Sequence, residues 1–150
     1  MVTMLIIKGI LFASLLLFAA VWDMQKREIP NLIPVFLLSC GLLGISASTF
    51  FPHLFGLLFT TLPYFLASVL IRREEGFAIG GGDIKLMAGC GFVMGIWGGI
   101  LQNILSLIFA LLSGVVLSKV KKVKFRKLRI PLAPYFCAGG ILAYWAVYAA

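Results

Sequence analysis

Acidic residues are rare in this chain: Asp and Glu together number 5 in 150 residues, and only Asp23 and Asp83 are aspartates. Charged residues of both signs make up 12% of the sequence against 62% apolar, and the mean hydropathy is +1.10. This balance excludes a soluble domain of the same size, because a small globule has a large surface to cover with polar groups. Histidine is confined to His53, beside Pro52 at an expected membrane interface, which argues against a His-based catalytic dyad. Cys40, Cys90 and Cys137 stand singly in apolar runs. No pair is close in sequence and no His accompanies them, so spacing supports neither a disulfide framework nor a zinc site. They are read as packing or lipid-facing residues, and no metal or other cofactor is expected. Linkers, low-complexity stretches and convincing internal repeats are also missing, so residues 1–150 read as a single membrane-embedded domain.

What the chain does have is apolar length. A run of ~20 uncharged residues suffices to cross a hydrocarbon core of ~30 Å. The first such run extends from about Leu5 to Trp22. Phe18-Ala19-Ala20 weakly resembles a signal-peptide cleavage site, but no basic residue precedes the run and Lys8 interrupts it, so it reads as a retained span. Leu32 to Ile71 carries no Asp, Glu, Lys or Arg and is long enough for two spans, with the break expected from Ser46 through Pro52-His53. Leu86 to Ser118 is also uncharged and would make one tilted span of about 50 Å or two shorter ones. Pro131 to Ala150 supplies the last, with Tyr144, Trp145 and Tyr148 near its outer end.

The net charge of +8 decides between one span and two in the Leu86 block. All Lys and Arg residues except Lys8 fall in three places: Lys26 and Arg27; Arg72, Arg73 and Lys85; and the segment from Lys119 to Arg129. If the block breaks near Trp97-Gly98-Gly99, all three lie on one side of the membrane, as the positive-inside rule requires. The expected fold is therefore an all-α integral membrane protein, a bundle of six transmembrane helices with both termini outside. The basic residues then face the cytoplasm and anionic lipid. Without an aromatic-basic platform, they do not point to a nucleic-acid partner.

The two aspartates are the candidates for chemistry. Asp23 follows the first span, and Asp83 ends Gly80-Gly81-Gly82-Asp83 and opens the fourth. Plainer readings compete: Asp83 as a helix N-cap at a positive helix end, and Asp23 as a solvated loop charge beside Lys26 and Arg27. Three flexible glycines are more than a cap needs. A fourth span from Ile84 to Gly98 is only ~22 Å long, which would draw Asp83 below the interface, where an ionisable group is a functional candidate. The glycines would then let backbone or an extended substrate come close, or adopt a positive φ. Two facing carboxylates share a proton; the ionised one takes a proton from water while its neighbour polarises a peptide carbonyl.

Gly80-Gly81-Gly82-Asp83-Ile84-Lys85-Leu86 resembles the Gly-x-Gly-Asp motif, followed by x-Lys-Leu, of type IV prepilin peptidases. Asp23 with Ile29-Pro30-Asn31 is similar to that family's first catalytic aspartate and the Ile-Pro-Asn after it. Ile130-Pro131-Leu132-Ala133-Pro134-Tyr135-Phe136 resembles its Ile-Pro-Phe-Gly-Pro-Phe element, with Ala133 where Gly is usual. The three matches occur in the family's order and span nearly the whole chain.

The resemblance implies an aspartic endopeptidase of the cell membrane that removes the basic leader of prepilin or pseudopilin substrates at the cytoplasmic face. Asp23 and Asp83 would be the catalytic pair, with Gly80, Gly81, Gly82, Lys85, Pro30 and Asn31 shaping the site. Longer members carry a cytoplasmic insertion with paired Cys-x-x-Cys motifs and add N-methylation; this chain has neither paired cysteines nor that insertion, so methyl transfer is not implied. The alternatives are a presenilin-like protease, which shares Gly-x-Gly-Asp but sets its first aspartate in a Tyr-Asp pair, and a small transporter or assembly scaffold using the aspartates for protons or a cation.

Overall fold

A computed structural model describes residues 2–70, 72–73, 76–77, 79–122 and 130–148. Glu74, Glu75 and residues 123–129, part of the expected basic loops, lie outside them. The elements are α1 (Val2–Lys26), α2 (Leu32–Leu42), α3 (Ala47–Leu70), β1 (Arg72–Arg73), β2 (Gly76–Phe77), α4 (Gly81–Lys121) and α5 (Ala133–Tyr148). The two short strands pair antiparallel, Arg72 opposite Phe77. Helix dominates because in lipid each crossing segment must satisfy its own backbone groups. Helices α1, α3 and α4 are long and apolar enough to cross a membrane, and α2 is a shorter apolar helix.

The α2–α3 connection falls where small polar residues were expected to break the chain. Gly44 takes φ +74°, the backbone N–H of Ser46 donates to Thr49 Oγ1 at 3.0 Å, and the N–H groups of Thr49 and Phe50 return to the Ser46 carbonyl. Pro52 is not the boundary, because it sits inside α3.

Helix α4 bends sharply. Gly95 adopts φ 68°, ψ −171°, which no helix contains. The limbs on either side fold back on one another. A Cβ on Gly99 would lie 3.4 Å from the Gly91 Cα and would also strike Thr60, whereas residues eight apart in a straight helix are ~12 Å apart. Thr60 likewise donates to the Met87 carbonyl at 3.0 Å, while Asn103 Nδ2 donates to the Thr60 carbonyl at 3.5 Å. The Leu86 to Ser118 block is thus two helical limbs. Its break lies at Gly95 rather than at Trp97-Gly98-Gly99, since Gly95 takes the positive φ while Gly98 and Gly99 stay helical and allow close packing.

Against the first limb, α3 runs antiparallel in a tight register. Gly56 packs on Gly91 and Gly95, and Pro52 O lies 3.7 Å from where a Gly95 Cβ would be. Small residues allow this approach, as in other membrane helix pairs. The core joins Phe12 and Leu16 of α1, Leu37 of α2, Leu86 and Met87 of α4, and Phe136 and Tyr144 of α5. Phe51, Leu58, Phe65 and Leu111 are among the large apolar side chains left on the outside. All three cysteines are buried and free, so they pack rather than face lipid.

One end of the bundle is fixed by Lys8 Nζ donating to the Gly41 carbonyl at 3.1 Å. The Tyr144 hydroxyl donates there to the Leu5 carbonyl at 2.7 Å, and that of Tyr148 to the Met94 carbonyl at 2.6 Å. The opposite end gathers the C-terminus of α1 and the N-termini of α4 and α5.

Candidate active site

Asp23 occupies the last complete turn of α1 and is 6% exposed. Its Oδ2 accepts the backbone N–H of Ala133 at 3.2 Å. Ala133 opens α5, so this amide is one of the donors that a helix start leaves unpaired, at a positive helix end. Pro134 follows at a position where a proline costs no helical hydrogen bond. Asp23 is therefore a buried hydrogen-bond partner of another helix's N-terminus, and not a solvated loop charge. Beyond it, Arg27 ends α1 with φ 55° and donates its N–H to the Asp23 carbonyl at 2.9 Å. Lys26 lies over the Trp22 ring, 4.3 Å from its centroid.

Asp83 lies in the first turn of α4, but it is not the cap. Gly80 precedes the helix with φ −68°, ψ 144°, and the Asp83 N–H donates to its carbonyl at 3.1 Å. Gly80, Gly81 and Gly82 are not among the positive-φ residues. What the triplet provides is space. A Cβ on Gly82 would come within 3.1 Å of the Ile29 Cβ, one on Gly80 within 3.4 Å of Asp83 Oδ2, and one on Gly81 would meet nothing within 4 Å.

These segments enclose a cavity of about 310 Å³. Asp23, Arg27, Glu28, Ile29 and Asn31 line it from the α1–α2 side, and Gly80, Gly81, Gly82 and Asp83 from the start of α4. The two aspartates thus face one space. Lys85 Nζ donates to Asn31 Oδ1 at 2.9 Å, tying the Gly-Gly-Gly-Asp segment to Ile-Pro-Asn. Pro30 is not in the lining; its carbonyl accepts the Ile33 N–H at 3.1 Å and starts α2. Arg27 and Glu28 were not among the site residues expected from sequence, and Ile29 entered only as part of the Ile-Pro-Asn element, although all three sit between Asp23 and Pro30. His53 lies at the far end, its Nδ1 bonded to the Phe92 carbonyl at 2.6 Å.

Such a bundle, with a cavity lined by two aspartates at one end, is that of a multi-pass helical membrane protein. Residues 10–118 match the family model described as Type IV leader peptidase family, and the chain belongs to that family. It is similar to the prepilin leader peptidase/N-methyltransferase of Bacillus subtilis (strain 168), 32% identical over 136 residues that cover 91% of this chain. The chain spans 54% of that relative's length. No solved structure matches it.

Proposed function

We propose that this protein is an aspartic endopeptidase that removes the leader from prepilin-like proteins at the cytoplasmic face of the membrane. The observation that carries the reading is the meeting of Asp23 and Asp83 on one cavity, from motifs far apart in the sequence of a leader-peptidase family member. Two carboxylates at short range hold one proton between them. The ionised member takes a proton from a water molecule, whose oxygen attacks the peptide carbonyl. The protonated member donates to that carbonyl oxygen, and the collapsing intermediate expels the amine with a proton.

A prepilin-like substrate fits this placement, because its apolar helix lies in the bilayer and its basic leader stays in water. The scissile bond between them is then held at the depth of the cavity before chemistry begins. Residues 81–94 make a limb of only ~21 Å, which places Asp83 below the interface if the Gly95 turn reaches the other one. Lys26, Lys85, Lys119, Lys121 and Lys122 favour the cytoplasm for the cavity end and six crossings for the chain.

The test is co-expression with a candidate prepilin, scored by gel shift and N-terminal sequencing of the product. Asp23→Asn and Asp83→Asn keep shape and hydrogen-bonding capacity but remove the titrating group. Each is expected to abolish leader removal with normal accumulation in the membrane. Near wild-type processing by either variant would overturn the two-aspartate mechanism.

A further inference from the structure

The register of α3 against α4 carries one step further than the family motifs. Pro52 and Gly56 face Gly95 and Gly91, and Thr60 donates to Met87. Each turn forward along α3 is matched by one turn back along α4. Continued by one more turn, this register brings Tyr64 level with Asp83. Tyr64 is held firmly in that place: it is 2% exposed, and its ring stands edge-on to Phe136, with centroids 5.4 Å apart and planes at 82°. Its hydroxyl is buried and has no hydrogen-bond partner among the described residues. A buried hydroxyl in that state calls for an explanation, since such groups are otherwise almost always paired.

We propose that Tyr64 is a positioning residue of the peptidase site, its hydroxyl hydrogen-bonding the Asp83 carboxyl when substrate closes the cavity and so fixing that carboxyl toward the scissile carbonyl. Tyr64 does for Asp83 what the Ala133 amide does for Asp23. Each aspartate is then oriented by a group from a neighbouring helix, and the two carboxyls are distinguished by what holds them. This inference rests on the two-aspartate reading above.

The experiment uses purified protein in detergent and a synthetic peptide joining a basic leader to the first turns of an apolar helix. Tyr64→Phe keeps the ring on Phe136 and removes only the hydroxyl. Its kcat is expected to fall about tenfold with KM within about twofold of wild type, the pattern of a group that acts on the transition state. Its thermal unfolding should stay close to wild type. Thr60→Val, one turn away, loses the bond to the Met87 carbonyl and should lower thermal stability while keeping kcat. An unchanged kcat in Tyr64→Phe, a rise in KM alone, or an equal loss of kcat in Thr60→Val would overturn the proposal. Asp83→Asn in the same assay separates the two readings. If it is inactive while Tyr64→Phe is normal, only the role of Tyr64 falls; if it cleaves normally, the two-aspartate mechanism falls with it.

Discussion

At the scale of single residues, the glycines before Asp83 have unequal tasks that their identical chemistry hides. Sequence offered two reasons for them, a positive φ or a close approach, and the backbone favours the second, because Gly80 lies at φ −68°. Gly82 carries the tight contact: an added Cβ would stand 3.1 Å from the Ile29 Cβ, across the wall of the cavity. Relieving that contact shifts either the Ile29-Pro30-Asn31 segment or the first turn of α4, and both lead to an aspartate. Gly82→Ala is expected to lower leader cleavage about tenfold, or about 1.4 kcal/mol of transition-state stabilisation, with normal protein levels. Gly80→Ala should cost less, and Gly81→Ala least of the three, since its Cβ meets nothing within 4 Å. The check is kcat/KM for all three with one prepilin substrate. Equal values would mean that the glycines merely precede a helix.

At the scale of elements, the legible parts were those written in composition. Apolar length marked α1 and α3, and the small polar residues at Ser46 to Thr49 marked the start of α3. The two aspartate motifs gave most of the cavity. What sequence could not place was decided by backbone geometry and by contacts between helices. The turn in α4 was expected at Trp97-Gly98-Gly99, where the glycines are paired, but hydropathy carries no information on φ, and the turn falls to Gly95 between Met94 and Ile96. Tyr64 escaped notice because a tyrosine in an apolar helix reads as core or interface until the partner helix fixes what it faces. Gly95 itself is testable. Its φ 68°, ψ −171° lies in a region open almost only to glycine, while its nearest neighbours would stand at an ordinary 3.7 Å or more from a Cβ. Gly95→Ala therefore suffers from the backbone and not from a clash. It should lower stability by about 1–3 kcal/mol, seen as earlier thermal unfolding in detergent. Stability equal to wild type would mean that the two limbs join in some other way.

At the scale of the whole molecule, the turn at Gly95 decides which residues share an end of the bundle. With the limbs folded back, Lys119, Lys121 and Lys122 return to the end that holds Lys26, Lys85 and the cavity. A groove formed by Leu112, Ser113, Val116 and Leu117 with Tyr135 agrees, because Tyr135 lies two residues beyond the amide that holds Asp23. The other end keeps a single described cation, Lys8, which is 7% exposed and bonded to the Gly41 carbonyl. An asymmetry of this kind favours the proposed orientation, with the basic end in the cytoplasm. The native cysteines are buried, so cysteines introduced singly at exposed positions report on sidedness over a low background. Thr49→Cys, at the start of α3, is expected to react with an impermeant thiol reagent on intact cells. Lys26→Cys and Lys122→Cys should react only after the membrane is permeabilised. Labelling of Lys122→Cys from outside, with Lys26→Cys protected, would require the two limbs of α4 to run on as one crossing and would put the basic end of α4 on the face opposite Asp23. Labelling of both would leave the bundle intact but turn the cavity away from the cytoplasm, and a leader retained in the cytoplasm could not then reach it.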